Sequence, residues 1–289
     1  MKTSGAPRRV AIVGGGPAGK MAARELVAAG ITVAIFERES ELGGLMRYGY
    51  PTYRMPTDVT TRDALRLADL GVEFHTNWEL GVNGTLSELL AAFDAVILAI
   101  GASEPIQLGI PGENLPNVWQ ALSLLHDLRS GSATELGARV VVIGGGDTAM
   151  DAATTSSLGG AESVTIAYRG PAGALRALPN EIERAAQAGV RFAYDKVPQR
   201  ILEVADSLRV EFADGASLEA DTVVVAIGQR VGRLLSKLKV QPAADGIATN
   251  HPGLYLAGGI THGSDRLAPA LASGRAAARA ALRGLGLAG

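Results

Sequence analysis

The chain has 289 residues, 47% apolar and 19% charged, with a formal net charge of −2, a composition that suits a globular protein with room for two modest domains. So even a charge balance supplies no general field for nucleic acid or an anionic membrane, and aromatics at 4% argue against stacking platforms for single strands. Cysteine is absent, which removes disulfides, Cys-x-x-Cys redox pairs, thiolate zinc sites and cysteine-held iron–sulfur clusters, so electron chemistry here requires an organic cofactor.

Taken in order, the apolar run Val10 to Val13 predicts a strand and Pro17 to Ala29 a helix, with Gly14-x-Gly16-x-x-Gly19 between them. Because the glycine turn follows at once, the run after Lys2, Arg8 and Arg9 reads as a first Rossmann strand rather than a signal peptide. In that setting Gly14 permits the turn, Gly16 lets the backbone approach a pyrophosphate, and Gly19 lets the helix pack on the strand. The helix that opens at Pro17 and Ala18 turns its free N-terminal amides, which begin with that of Ala18 because proline has none, toward the phosphates. Glu37 closes the next apolar run, Ile31 to Phe36, at the spacing where a carboxylate accepts hydrogen bonds from an adenosine ribose, and Arg38 follows it.

Glu41 to Pro51 is too rich in Gly and aromatic residues to continue a helix, and reads as a shaped loop or a plain connection with routine turns. Thr57 or Asp58 caps a predicted helix to about Leu70, Val72 to His75 is a short strand, and Leu86 to Ala92 a short helix. Asp94 to Ala102 is a buried parallel-type strand ending at Ala99 and Gly101, which places a close backbone approach at a carboxyl sheet edge, where open α/β folds bind ligands.

Pro105, Pro111, Gly112 and Pro116 mark a linker, and a helix over Val118 to Leu128 follows. The opening pattern then returns: Val140 to Ile143 runs into Gly144-x-Gly146-x-x-Ala149, with Asp147 and Thr148 opening a helix to about Leu158. Its second strand, Ser163 to Ala167, ends in Tyr168-Arg169, so Arg169 is read as standing where Glu37 stood in the first copy. A guanidinium there pairs with a 2′-phosphate and leaves NAD without its ribose partner, so the second site favours NADP, with Arg176 a second contact. Pro179 to Ala188 reads as a helix, Val190 to Tyr194 as a strand and Ile201 to Glu219 as a hairpin. Asp221 to Gly228 repeats the strand-to-glycine ending. Gly253 to Ile260 is a strand into a glycine turn, and a helix runs from Leu267 to about Leu282. That last piece is too short to be a domain, and is expected back on the first sheet. No run of about 18 apolar residues occurs, so no membrane span is expected.

These stretches, with Leu42-Gly43-Gly44-Leu45-Met46-Arg47-Tyr48-Gly49-Tyr50-Pro51, Ile110-Pro111-Gly112-Glu113 and Gly144 to Asp151, make a chain that resembles the two-dinucleotide-binding-domain flavoproteins. Among them it is similar to the FAD/NADPH domains of the glutamate synthase small (β) subunit, without that subunit's Cys-rich iron–sulfur region. The resemblance implies an α/β fold of two Rossmann-like domains, an FAD domain over 1–105 and 229–289 and an inserted NAD(P)H domain over 106–228. It implies FAD at Gly14, Gly16, Pro17, Ala18, Gly19, Glu37, Arg38, Gly43, Gly44, Leu45, Arg47, Val82, Ala99, Gly101, Gly258, Gly259 and Asp265. NADPH, in preference to NADH, falls to Gly144, Gly146, Asp147, Thr148, Ala149, Arg169, Arg176 and Gly228.

Two positions depart from the pattern: Gly259 stands where relatives carry a ribityl-binding Asp, and Gly170 where a second Arg often follows the first. Of the histidines, His75, His126 and His251 read as surface or capping residues, and His262 is the one candidate for contact with flavin or substrate. Glu113 and Asp147 either cap backbone or orient a nicotinamide. The expected function is a cytoplasmic oxidoreductase that passes hydride from NADPH to FAD, then electrons to ferredoxin, a Rieske protein or another iron–sulfur partner, with a homodimer as a further association. A flavoenzyme acting on a small molecule and a non-catalytic nucleotide-binding subunit are the alternatives.

Overall fold

The structure is a computed structural model that describes residues 7–102, 104–131, 135–263 and 266–287, with His262 by its backbone alone. Strand β1 (Arg9–Val13) turns into α1 (Pro17–Ala28), and β2 (Thr32–Phe36), α2 (Leu45–Tyr48), α3 (Thr57–Asp69), β3 (Glu73–His75), α4 (Leu86–Ala92) and β4 (Ala95–Leu98) follow. After the short β5 (Glu104–Pro105) come β6 (Val118–Gln120), α5 (Ala121–Ser130), β7 (Arg139–Gly144), α6 (Asp147–Leu158), β8 (Ser163–Ala167), α7 (Pro179–Gln187) and β9 (Arg191–Ala193). The chain continues through β10 (Pro198–Val204), β11 (Ser207–Phe212), β12 (Ser217–Ala220), β13 (Thr222–Ala226), β14 (Gln229–Arg230), α8 (Leu234–Lys237), β15 (Leu254–Leu256), α9 (Gly259–His262) and α10 (Leu267–Gly284).

Contacts divide the chain into two units, the first holding residues to Arg47, Met55–Glu104 and from Gln229 on, the second Tyr48–Arg54 and Pro105–Gly228. In the first, five parallel strands run in the order β15-β4-β1-β2-β3. The last strand in the sequence, β15, pairs with β4 through Leu254↔Val96. Side chains alternate faces along a strand, so Val10, Ile12, Val33, Ile35 and Ile97 pack under α1 and α10 on one side. Ala11, Val13, Phe36, Val96 and Leu98 meet Leu86, Leu89, Phe93 and Ile260 on the other. Each fully buried Ile or Leu contributes about 1.5–3 kcal/mol. α10 closes on α1 through small residues, since a Cβ on Gly274 would collide with the Ala18 carbonyl oxygen.

The second unit has five parallel strands in the order β6-β13-β7-β8-β9. Helix α6 lays Ala149, Met150, Ala152 and Ala153 on Val140, Val142, Ile166 and Val224. The opposite face, Val141, Ile143 and Val223, is covered by Ile201, Leu208, Val210 and Phe212 from an antiparallel β10-β11-β12 meander.

Four expectations are corrected. The segment 201–219 belongs to three strands rather than a hairpin, because Ile201 pairs with Val210 and Leu208 with Ala220. The helix expected from Val118 begins at Ala121, because Val118 to Gln120 is drawn into the sheet beside β13. Neither Thr57 nor Asp58 caps α3; both lie inside it and Pro56 occupies the cap position without a side-chain acceptor. The Glu41 to Pro51 stretch contains a one-turn helix, α2, rather than loop alone. No described helix is long and apolar enough to cross a membrane.

Candidate functional site

The first glycine turn is shaped by contacts that leave no room for side chains. Gly14 has φ 106°, and a Cβ there would stand 2.5 Å from the Ala99 carbonyl oxygen, so β1 and β4 approach closely where the chain turns. Gly14 N–H donates to Phe36 O at 2.7 Å. Gly15 N–H donates to Glu37 Oε2 at 2.7 Å, and Glu37 Oε1 accepts from Glu39 N–H at 3.0 Å. Glu37 is 6% exposed, and its carboxylate braces the turn with both oxygens. A Cβ on Gly19 would collide with the Gly14 carbonyl oxygen, which is why the helix sits so close to its own strand.

Two further segments meet this turn. Leu42 lies against Gly15, and Gly44, at φ 54°, lies against Gly16. Gly258, at φ 79°, lies against Ala18 and donates its N–H to Ser273 Oγ at 2.7 Å. Gly43, Gly44, Ala99 and Gly258 are thereby gathered with Gly14, Gly16, Pro17, Ala18, Gly19 and Glu37. Gly259 opens α9 directly after Gly258, Leu45 opens α2 directly after Gly44, and Gly101 turns at φ 72° beyond β4. Arg47 bonds Thr61 Oγ1 at 3.0 Å, Thr60 Oγ1 at 3.3 Å and the Glu41 carboxylate at 2.6 Å. Arg38 is paired with Glu39 at 3.1 Å, and Val82 stands 74% exposed on the turn after Leu80. Asp265 and the His262 side chain lie outside the described residues.

The second turn repeats the first with different chemistry. A Cβ on Gly144, at φ 151°, would collide with the Ala226 carbonyl oxygen. Ala149 takes the third place with no exposure, so the helix here tolerates one methyl against its strand. The ladder corrects the alignment of the copies: Val13 pairs with Phe36 and Ile143 with Ala167, so Tyr168, not Arg169, occupies the place of Glu37, and Arg169 that of Arg38. One extra residue between β7 and β8 causes the shift. The reading that survives is the missing carboxylate, together with an Arg169 that is exposed and has no ion pair with any described residue, in contrast to Arg38. Arg176 is likewise exposed and without an ion pair among described residues. Thr148 is half-buried in the first turn of α6, and Gly228 turns at φ 115° beyond β13 and accepts Ile106 N–H at 3.0 Å.

Asp147 Oδ1 accepts Leu178 N–H at 2.8 Å, and Glu113 accepts Leu108 and Gly109 N–H at 2.6 and 2.8 Å, so both carboxylates hold backbone. His75 stacks on Phe36, His126 on Tyr48, and His251 lies 3.3 Å from Lys239 O. One group was not anticipated from the sequence. Arg54 Nη1 donates to Asp151 Oδ2 at 2.5 Å and its Nε lies 3.4 Å from Glu181, so residues 48–54 are tied to α6 and α7. Asp151 and Glu181 are 2% and 4% exposed. Burial pushes the Asp151 carboxyl up to about 6 against the opposing pull of Arg54, and burial with the Asp151 charge pushes the Tyr53 hydroxyl up to about 12. No cluster of His, Asp and Glu suited to a metal occurs among the described residues.

Two parallel sheets, each turning from its first strand into a helix through Gly-x-Gly, define a protein with two dinucleotide-binding domains. The chain belongs to the pyridine nucleotide-disulphide oxidoreductase family, whose pattern matches residues 8–277. It is 31% identical to the glutamate synthase [NADPH] small chain of Escherichia coli K12, over 94% of this chain and 67% of that one. Its fold matches Mycobacterium tuberculosis FprA in complex with NADPH with a TM-score of 0.78 at 20% identity, covering 97% of this chain and 85% of that one. Lactococcus lactis thioredoxin reductase matches with a TM-score of 0.73 at 25% identity, over 96% of this chain and 99% of that one. By its family the protein is an oxidoreductase.

Proposed function

We propose that the protein binds FAD on its first unit and NADPH on its second, passes hydride from the nicotinamide to the flavin, and delivers electrons singly to an iron–sulfur acceptor protein. The observation that carries this reading is the asymmetry of the paired turns: a buried carboxylate, Glu37, stands at the strand end beside the first, while Tyr168 holds that place beside the second and is followed by an Arg169 with no ion pair to any described residue. A free ribose suits the first and a 2′-phosphate the second. The names of the E. coli and M. tuberculosis relatives, both of which carry NADPH, support the same cofactor here.

The residues present fit both nucleotides. A Cβ on Gly16 would find its nearest neighbour, Gly44 Cα, at 3.8 Å, and one on Gly146 would find nothing within 4 Å, so both turns leave space for a pyrophosphate. Gly16 and Gly146 are the cap residues of α1 and α6 and neither helix has a side-chain cap, so their first amides remain for phosphate oxygens. Gly14 to Gly19 hold the first diphosphate and Glu37 its ribose, with Gly43 to Leu45 and Gly258 to Gly259 along the flavin. Gly144 to Ala149 hold the second, with Arg169 and Arg176 on the 2′-phosphate. FAD supplies hydride acceptance and release of single electrons, and this chain's residues bind and orient. With no cysteine in the sequence, no dithiol of this chain relays the electrons, and an external acceptor follows.

The test is spectroscopic. The purified protein, reconstituted with FAD if needed, should show flavin absorbance that NADPH bleaches anaerobically and faster than NADH does. Reoxidation by ferredoxin or a Rieske protein, and not by oxygen or small quinones, supports the protein acceptor; absence of flavin binding overturns the reading.

A further inference from the structure

The loop between β8 and α7 carries two basic side chains, Arg169 and Arg176, that make no ion pair with any described residue, and it is strapped to the glycine turn at several points. Tyr168 closes its ring on Gly145, where any Cβ would collide with it, and its hydroxyl donates to Ala174 O at 2.6 Å. Gly145 O accepts from Arg176 N–H at 2.9 Å and from Ala177 N–H at 3.1 Å. Asp147, in the first turn of α6, accepts Leu178 N–H at 2.8 Å. Ala177 is buried in the core of the unit. The loop is thus fixed at its root, middle and end, while Arg169 at its root and Arg176 within it stay exposed.

We infer that Tyr168 and Asp147 are positioning residues for the 2′-phosphate of NADPH: they fix the loop that places Arg169 and Arg176, and so set the preference for NADPH over NADH without touching the phosphate. This rests on the assignment of NADPH to the second unit. The physical reason is preorganisation. Two long cationic side chains on a mobile loop lose conformational freedom on binding an anion, whereas a strapped loop has lost the backbone share already. Tyr168 also explains why the place of Glu37 is filled by a ring: it removes the ribose carboxylate and supplies the strap with one substitution.

The test uses the whole protein and two probes that differ only in the 2′-phosphate, 2′,5′-ADP and 5′-AMP, titrated calorimetrically. Wild type should bind 2′,5′-ADP more tightly by about tenfold or more. Asp147→Ala and Tyr168→Leu should each reduce that ratio to near one. Asp147→Asn, whose amide oxygen still accepts Leu178 N–H, should restore it. An undiminished ratio in Asp147→Ala overturns the inference, as does failure of the Asn variant to restore it, since charge rather than the hydrogen bond would then matter. Should Tyr168→Leu not fold, the Asp147 pair decides. A wild type that binds the two probes equally overturns the NADPH assignment and the inference with it; a discriminating wild type with equally discriminating variants overturns the inference alone.

Discussion

The two units are variations on one sheet. Strands β1, β2, β3 and β4 of the first correspond in order to β7, β8, β9 and β13 of the second, and each sheet takes its fifth strand beside the fourth. The source of that fifth strand differs: β15 comes from the end of the sequence, β6 from just ahead of β7. Three local differences then separate the two copies of this scaffold. Glu37 is replaced by Tyr168, Gly19 by Ala149, and the helix α4 by the β10-β11-β12 meander on the outer face. The hydrophobic framework is indifferent to these changes, because none alters the alternation of buried side chains along the strands. On the proposed assignment, ligand choice would therefore lie in a few positions around the glycine turns rather than in the fold.

The sharpest way to break this equivalence is at the third position of the turn. Gly19→Ala should cost about 3 kcal/mol, since the added methyl meets the Gly14 carbonyl oxygen and the helix must move off its strand. Loss of bound flavin on gel filtration should accompany it. Ala149→Gly in the second unit should cost about 1 kcal/mol, the propensity term of a helical glycine, and leave NADPH bleaching in place. Equal damage from both would show that the copies hold their helices at one distance. Next in size is Arg169→Ala, which should raise the KM for NADPH about tenfold, the loss of one charge-assisted contact, and that for NADH little. Equal changes would sink the assignment of Arg169 to the 2′-phosphate.

Much of this was legible along the sequence, for physical reasons that also mark the limit. Val10 to Val13, Val140 to Ile143 and the glycines after them announce strand, turn and helix because each requirement is local. α6 and β8 were expected over the residues they occupy, and the return of the last strand to the first sheet followed from its being too short to stand alone. The alignment of Glu37 with Tyr168 was not legible, because it depends on ladder register across a crossover of different length. The brace from Asp147 to Leu178 spans 31 residues and the tie from Arg54 to Asp151 spans 97, and no pattern in either segment specifies its partner.

That tie distinguishes the units in their response to acid. Asp151 is deeply buried on α6, with Arg54 and Tyr53 from the 48–54 segment, Glu181 from α7 and Asp147 one turn away on its own helix as the titratable groups around it. Its folded carboxyl holds a proton up to about pH 6 against an ordinary value of 3.8, so the folded state binds more protons over that interval. Stability from this group therefore rises as pH falls from 6 towards 4, and its cost is complete above 6. Asp151→Asn does not titrate. The difference in Tm between wild type and this variant should grow in favour of wild type from pH 7 to pH 4.5, and a constant difference would refute the shift.

The smallest effect belongs to α4, the element that the meander replaces. Thr85 Oγ1 accepts Glu88 N–H at 3.2 Å and Glu88 Oε2 accepts Thr85 N–H at 2.8 Å, a reciprocal cap that satisfies two amides otherwise left open. These bonds hold the Glu88 carboxyl below its ordinary range, so the cap acts fully above that range and weakens as pH falls through it. Thr85→Ala should lower Tm by about 2–4 °C at neutral pH, less in acid, with flavin absorbance unchanged. Helix α4 reaches the sheet through Leu86 and Leu89, on the face away from α1 and α10. Loss of flavin in this variant would therefore mean that the outer face, where the two units differ most, is coupled to the turn where they are most alike.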